Sequence, residues 1–324
     1  MHDLPYFQQQ FKEYLEARPF LRSPEALYRP VDYILALGGK RLRPAVLLVS
    51  HYLFRDDYER SLPAALSLEV FHNFTLLHDD VMDESPLRRG QPTVHERWDQ
   101  NTAILSGDAM LILAYQLLTD HHIAVPNLLR RFNETTLEVC EGQQFDMNFE
   151  TRDDVRIDEY IRMIELKTSV LFGFGMEAGA RIAGATEADA GNLYEFGRNL
   201  GIAFQIQDDL LDTFGTAEQI GKRVGNDILR NKKTYLALRA RELADPQQEQ
   251  ELDHWFAHRN HPEEEKIAAV TALFEQTGVR AEAEARKQEF YQTAQQHLAA
   301  VKGADPQRVQ LLRELGEQLI YRAK

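Results

Sequence analysis

The chain has 324 residues, 44% of them hydrophobic and 27% charged, which fits a globular protein with a sizeable core. Its formal net charge of −14 argues against general affinity for nucleic acid or anionic membranes, so an anionic substrate needs a local basic patch and metal. The single cysteine, Cys140, excludes an intrachain disulfide, and no cysteine and histidine run has zinc spacing; a reducing, cytoplasmic setting fits.

The first twenty residues carry early charges and no apolar h-region, so neither a signal peptide nor a transit peptide is expected. Phe7, Phe11, Tyr14 and Leu15 recur at helical spacing. The segment Gly38-Gly39-Lys40-Arg41-Leu42-Arg43-Pro44 then puts three cations at a glycine-flexed helix start, where backbone N–H groups and the helix dipole favour phosphate. Residues 44–53, 103–118 and 169–185 are apolar on more than one face, which predicts helices inside a bundle. Leu62, Leu66, Val70, Phe74 and Leu77 mark a helix that carries His72 and His78 and runs into Asp79-Asp80-Val81-Met82-Asp83; Arg88-Arg89-Gly90 follows. Further polar residues interrupt apolar helices: Gln143, Gln144 and Asp146, then Lys167-Thr168, then Gln205 and Gln207. Each alone is explained by a core hydrogen bond, but together they predict a lined cavity. A second acidic cluster, Asp208-Asp209-Leu210-Leu211-Asp212, is followed by Gly221-Lys222-Arg223 and Asn231-Lys232-Lys233-Thr234. Residues 263–266 and 281–296 read as outer helices with solvated faces. No strand pair, repeat, linker or bilayer-spanning apolar stretch is evident. The expectation is one all-α domain over residues 1–324, a bundle of about a dozen helices around a central cavity.

The two acidic clusters carry the chemistry. On a helix, aspartates three and four residues apart share one face, so each cluster directs carboxylates into one small volume. Aspartate is a poor helix former and like charges repel, so something must neutralise them. One such cluster alone reads as a solvated acidic face. Two copies flanked by apolar residues point instead to clamps for Mg²⁺, which binds best when one or two carboxylates share it with substrate phosphates. The basic runs near both clusters balance two anionic groups, one held by metal and one by direct Arg and Lys contacts.

GGKRLRP, LLHDDVMDESPLRRG, SGDAML, GQQFD, Lys167-Thr168, FQIQDDLLD and GKRVGNDILRNKKTY occur in an order that resembles the trans-isoprenyl diphosphate synthases, the polyprenyl synthetase family, over about residues 38 to 235. The resemblance implies a head-to-tail prenyltransferase in which an allylic diphosphate is ionised with about three Mg²⁺ ions held between the clusters. Isopentenyl diphosphate then attacks the allylic cation, and proton loss yields a product five carbons longer. By resemblance, Asp79, Asp83 and Asp208 are metal ligands, with Asp80, Asp209 and Asp212 in supporting or water-mediated roles. Arg88, Lys167, Lys222 and Lys232 would hold the allylic diphosphate; Lys40, Arg43, His72 and Arg89 would hold isopentenyl diphosphate. Thr168 and Gln205 would lie near the developing cation. The family also implies a homodimer and a departing diphosphate that accepts the proton. Two features depart from many relatives: Asn231 stands where glycine is common, and only two residues separate Asp80 from Asp83.

Chain length is expected to depend on Phe71, Phe74 and Thr75, just before the first cluster. Phe74 lies about 7 to 8 Å below Asp79 along the helix, although about 140° round it. An aromatic there with Thr75 beside it resembles synthases of the twenty-carbon product, geranylgeranyl diphosphate; farnesyl diphosphate and longer products are the alternatives. A class I terpene cyclase would also use an aspartate clamp, but has no second substrate for GGKRLRP and His72 to hold. A non-catalytic subunit of a heteromeric synthase would be marked by loss of one cluster, and both are intact.

Overall fold

A computed structural model of the chain describes residues 1–216, 224–257 and 261–321. Helix α1 (Leu4–Glu16) begins where the Asp3 carboxylate accepts a hydrogen bond from the Tyr6 amide at 3.0 Å, with proline in the first turn. It buries Phe7 and Phe11, the stripe its spacing predicts. Next come α2 (Glu25–Ala36), α3 (Leu42–Tyr52), a 3₁₀ turn (Tyr58–Ser61), α4 (Leu62–Met82), α5 (Val94–Arg97) and α6 (Gln100–His122). They are followed by α7 (Leu128–Phe149), α8 (Ile157–Ile164), a π turn (Glu165–Ser169), α9 (Val170–Ile182) and α10 (Glu187–Phe214). The remaining helices are α11 (Asn226–Leu229), α12 (Tyr235–Leu243), α13 (Pro246–Ala257), α14 (Glu263–Thr277), α15 (Val279–Ala300) and α16 (Pro306–Ile320). The fold is all-helical, as expected.

One strand pair does exist. Leu87–Arg88 (β1) pairs antiparallel with Gln91–Pro92 (β2) across Arg89 and Gly90, at φ 54° and 74°. Two-residue strands are too short to give a period-two signal.

The chain groups into two compact units, each gathered from separate stretches: Met1–Phe132, Phe174–Leu193 and Val301–Leu312 form the first; Asn133–Gly173, Tyr194–Ala300 and Arg313–Lys324 form the second. In the first unit α4 packs against α6, α3 and α2, and every residue from Leu62 to Phe71 is buried. Helix α3 is likewise buried throughout from Pro44 to Tyr52, as its all-round apolar sequence predicts. Helix α6 is not: Ile104, Leu105 and Ile112 are exposed. It is also long and apolar enough, by length and composition, to cross a membrane, as a partly buried core helix can be. Isolated polar residues such as Asp108 and Gln116 mask that character in the sequence.

The second unit is built around Phe149, Tyr160, Ile202, Ile206, Leu210, Ile228, Leu236 and Phe274. Helix α14 begins with three glutamates in its first turn, where they complement the helix dipole, and ends at Gly278, whose φ of 74° suits glycine. The solvated face expected for residues 263–266 is incomplete, since Lys266 is only 4% exposed.

Candidate active site

The first acidic cluster occupies the last turn of α4 and the residue that caps it, with Asp83 donating its amide to the Asp79 carbonyl at 2.8 Å. That turn carries the negative end of the helix dipole and contains no basic residue, so three carboxyls here are electrostatically unfavourable without an outside cation. Asp79 is half-buried, Asp80 buried and Asp83 exposed. Burial pushes the Asp80 carboxyl above its usual range, and Arg88 opposes this with a bidentate pair, Nε to Oδ2 and Nη2 to Oδ1, both 2.7 Å. Arg88, expected on a diphosphate, is thus first a partner of Asp80.

The basic residues of the same unit are arranged around two side-chain acceptors, the buried Glu69 and the half-buried His72. Arg41, at φ 47°, donates to Glu69 Oε1 and to the Leu35 carbonyl. Glu69 is 2% exposed and also accepts from Asn73 Nδ2 at 2.9 Å. Arg41 therefore anchors the helix start, a role the sequence did not separate from its neighbours. Arg43 Nη1 donates to His72 Nε2 at 3.1 Å. Burial, then the charges of Arg43 and Arg89, hold the His72 pKa well below the ordinary value, so the ring is neutral. Because arginine only donates, Nε2 is the acceptor and the proton sits on Nδ1. Arg89 donates to the Gly38 carbonyl, and a Cβ at Gly39 would meet its guanidinium carbon at 2.7 Å. The two glycines let the loop lie against that guanidinium. Lys40 is exposed beside them.

The second acidic cluster occupies the last two turns of α10, and the last turn, with Asp212, holds no basic residue. Asp208 is half-buried, Asp209 4% exposed and Asp212 2% exposed. Asp209 is pushed up to about 8, by burial and then by the charge of Asp227; the Tyr160 hydroxyl donates to its Oδ2 and opposes the rise. Asp212 Oδ2 accepts from the Asp227 amide at 3.0 Å, whereas its Oδ1 is buried without a hydrogen-bond partner. Among the described residues no three His, Cys, Asp or Glu side chains form a closed metal site. Each cluster is an open set of oxygen donors, and the second also holds an orphaned carboxylate oxygen on Asp212 and, on Asp209, a carboxyl that stays ionised at neutral pH only beside added positive charge. That donor set suits a hard divalent cation completed by substrate oxygens.

Lys167 and Thr168, both half-buried, sit in the π turn between α8 and α9. Lys167 Nζ donates to Asp146 Oδ2 at 2.6 Å. Two glycines permit that turn: a Cβ at Gly142 would come within 2.3 Å of the Lys167 amide nitrogen, and one at Gly201 within 2.9 Å of Ser169 Cα. Of the polar residues expected to line a cavity, Gln205 is half-buried, but Gln144 is exposed and bonds Asn148. Lys232 is exposed, following Asn231 at φ 56°. Lys222, with Gly221 and Arg223, lies outside the described residues.

Phe71 is fully buried and Phe74 8% exposed, with ring centroids 5.6 Å apart; Phe74 also meets His78 at 4.8 Å. The Thr75 hydroxyl donates back to the His72 carbonyl at 2.8 Å. A surface cleft of about 750 Å³ lined by Arg55, Asp56, Asp305 and Arg308 holds none of these residues.

Comparison with known proteins decides the family. The polyprenyl synthetase profile matches residues 24–274. The chain belongs to the polyprenyl synthetase family. The geranylgeranyl diphosphate synthase of Methanosarcina mazei is 42% identical over 220 residues, 67% of this chain and 68% of that protein. The geranylfarnesyl diphosphate synthase of Natronomonas pharaonis is 37% identical over 277 residues, 80% of this chain and 79% of that protein. A geranylgeranyl pyrophosphate synthase crystal structure superposes with a TM-score of 0.94 at 45% identity, covering 100% of both chains. A polyprenyl synthase from Caulobacter crescentus, complexed with calcium and isoprenyl diphosphate, gives 0.86 at 26% identity, covering 99% of this chain and 97% of that one. As a polyprenyl synthetase, the chain is a transferase of isoprenoid biosynthesis, a trans-prenyltransferase of the short-chain type. Glu69, Tyr160 and Asp227, which the sequence pattern does not single out, are partners of candidate residues or their neighbours: Glu69 accepts from Arg41, Tyr160 donates to Asp209, and the Asp227 amide donates to Asp212. The only signal for Glu69 is a lone acid in an apolar helix.

Proposed function

We propose that this polyprenyl synthetase condenses isopentenyl diphosphate with an allylic diphosphate, adds five carbons per cycle, and releases geranylgeranyl diphosphate. The observation that carries the reading is the cationic set around His72, in the same unit as the first acidic cluster. A neutral, Nδ1-protonated imidazole beside Arg43 and Arg89 suits a second diphosphate, which a terpene cyclase does not bind. Both acidic clusters act on the allylic diphosphate in this reading. Asp79, Asp83 and Asp208 would hold Mg²⁺, about three ions per site, with Asp80, Asp209 and Asp212 in support. Bound Mg²⁺ neutralises charge on the leaving diphosphate.

The chain's own residues do the rest. Arg88, Lys167, Lys222 and Lys232 hold the allylic diphosphate, and Lys40, Arg43, His72 and Arg89 hold isopentenyl diphosphate. Thr168 and Gln205 direct oxygen dipoles toward the carbon that becomes cationic. The departing diphosphate takes the proton. Phe74, tilted against Phe71 and edge-on to His78, is supported as the floor that stops growth at twenty carbons. A single domain over residues 1–324, a cytoplasmic location and a homodimer belong to the same proposal; the exposed Ile104, Leu105 and Ile112 are apolar surface that a second copy would cover. Incubation with an allylic diphosphate alone and then with isopentenyl diphosphate tests the reading. Consumption only when both are present supports it, whereas consumption of the allylic substrate alone identifies a cyclase.

A further inference from the structure

Lys266 is the cation that the sequence places on a solvated helix face and the structure buries, at 4% exposure. Its Nζ donates to Asn231 Oδ1 and lies 5.6 Å from the centroid of the Phe256 ring. Asn231 Nδ2 in turn donates to the Phe256 carbonyl at 3.1 Å, so both ends of the amide are fixed. Asn231 has φ 56°, a conformation that glycine adopts readily and that a side chain must be held in. The residue it precedes is Lys232, whose amide donates to the Asp227 carbonyl at 3.0 Å. The Asp227 amide then reaches Asp212 Oδ2, also at 3.0 Å. At the other end of this loop Gly225 donates its amide to the Asp212 carbonyl at 2.6 Å, and a Cβ there would meet Ile267 Cγ1 at 2.8 Å. Two adjacent residues of α14, Lys266 and Ile267, thus seat both ends of the loop 225–232.

We infer that Lys266 is a positioning residue: through Asn231 it fixes the left-handed turn that sets the direction of Lys232 and the register of the loop on Asp212. Nothing in the chemistry of condensation touches Lys266 itself. The inference rests on the reading of Lys232 as a diphosphate contact, and deepens it by naming what aims that lysine. A purely structural lysine would be replaceable by a flexible apolar chain of similar length without change in ligand binding. A positioning lysine would not, unless Asn231 were also replaced by a residue that takes φ near 56° unaided.

The test uses the full chain and three variants: Lys266→Met, Lys266→Met with Asn231→Gly, and Lys232→Ala. Calorimetric titration with a non-ionising allylic thiolodiphosphate and Mg²⁺ reads affinity; hydrogen exchange of amides 225–232 in ligand-free protein reads the loop; thermal melts confirm folding. Lys266→Met should bind the analogue about tenfold more weakly and lose protection in the loop, because Asn231 Oδ1 is left without its donor. The double variant should recover to within about threefold of the parent, since both polar partners are gone and glycine accepts the turn. Loop protection and affinity both unchanged in Lys266→Met would overturn the inference. So would a loss that the double variant does not recover, which would mark a general packing role. Should Lys232→Ala bind the analogue as the parent does, the reading of Lys232 fails, and the loop protection of Lys266→Met still decides whether Lys266 holds the turn.

Discussion

Arg88 grips both oxygens of Asp80 through two parallel hydrogen bonds of 2.7 Å, and so fixes the buried middle carboxylate of the first cluster. Asp79 and Asp83 flank that carboxylate at the end of α4. Arg88→Lys keeps the charge but loses the fork geometry. It should lower kcat/KM by about 10- to 100-fold and raise the Mg²⁺ concentration needed for half-maximal rate, measured by steady-state kinetics across a Mg²⁺ series. Unchanged Mg²⁺ dependence would mean that the pair does not organise the cluster.

Gly142 is required by a close approach of backbone, not by flexibility. Gly142→Ala would push a methyl group into the Lys167 amide, 2.3 Å from the position of its Cβ. The π turn cannot absorb that contact without moving Lys167 and Thr168. The expected cost is about 1 to 3 kcal/mol of stability with a larger proportional loss of activity, read from thermal melts alongside turnover.

Much of this site is legible in the sequence because carboxylates at i, i+3 and i+4 announce a cluster wherever the helix lies. Asp79 and Asp208 need no tertiary information to be singled out. The partners of those carboxylates are another matter. Tyr160 is 49 positions from Asp209, and nothing local distinguishes it from any other tyrosine on a helix. Glu69 and Lys266 read as ordinary charges until burial is known, since burial depends on which neighbour covers the face. The all-helical fold follows from periodicity. The hairpin at Leu87–Pro92 does not, because its two-residue strands have no pattern to read.

Phe74 should govern product length. Phe74→Ala opens space beside Phe71 and His78, and the product spectrum should shift to longer chains by mass spectrometry. An unaltered spectrum would remove Phe74 as the floor.

Stability should fall in acid for a stated reason. Burial, then the nearby charges of His121, Arg60 and His51, lowers the His122 pKa to about 4, and its Nε2 is buried without a hydrogen-bond partner. The folded-state pKa lies below the unfolded value of 6.5, so folding favours the neutral ring. Its contribution is fully present above pH 6.5 and is lost as pH falls toward 4, about 3 kcal/mol at the limit. His51 and His72, also lowered chiefly by burial, steepen the same slope. Melting temperatures should therefore drop between pH 6.5 and 4, and His122→Phe should flatten the curve; an equal drop in that variant would exclude His122 as a source.

The central claim is that both acidic clusters serve one Mg²⁺-dependent condensation. Turnover of isopentenyl diphosphate with an allylic starter, followed by mass spectrometry of the product in the parent, Asp79→Ala and Asp208→Ala, measures this most directly. Each variant should lose at least about a hundredfold in rate while keeping its fold. Undiminished product formation in either variant would contradict the account.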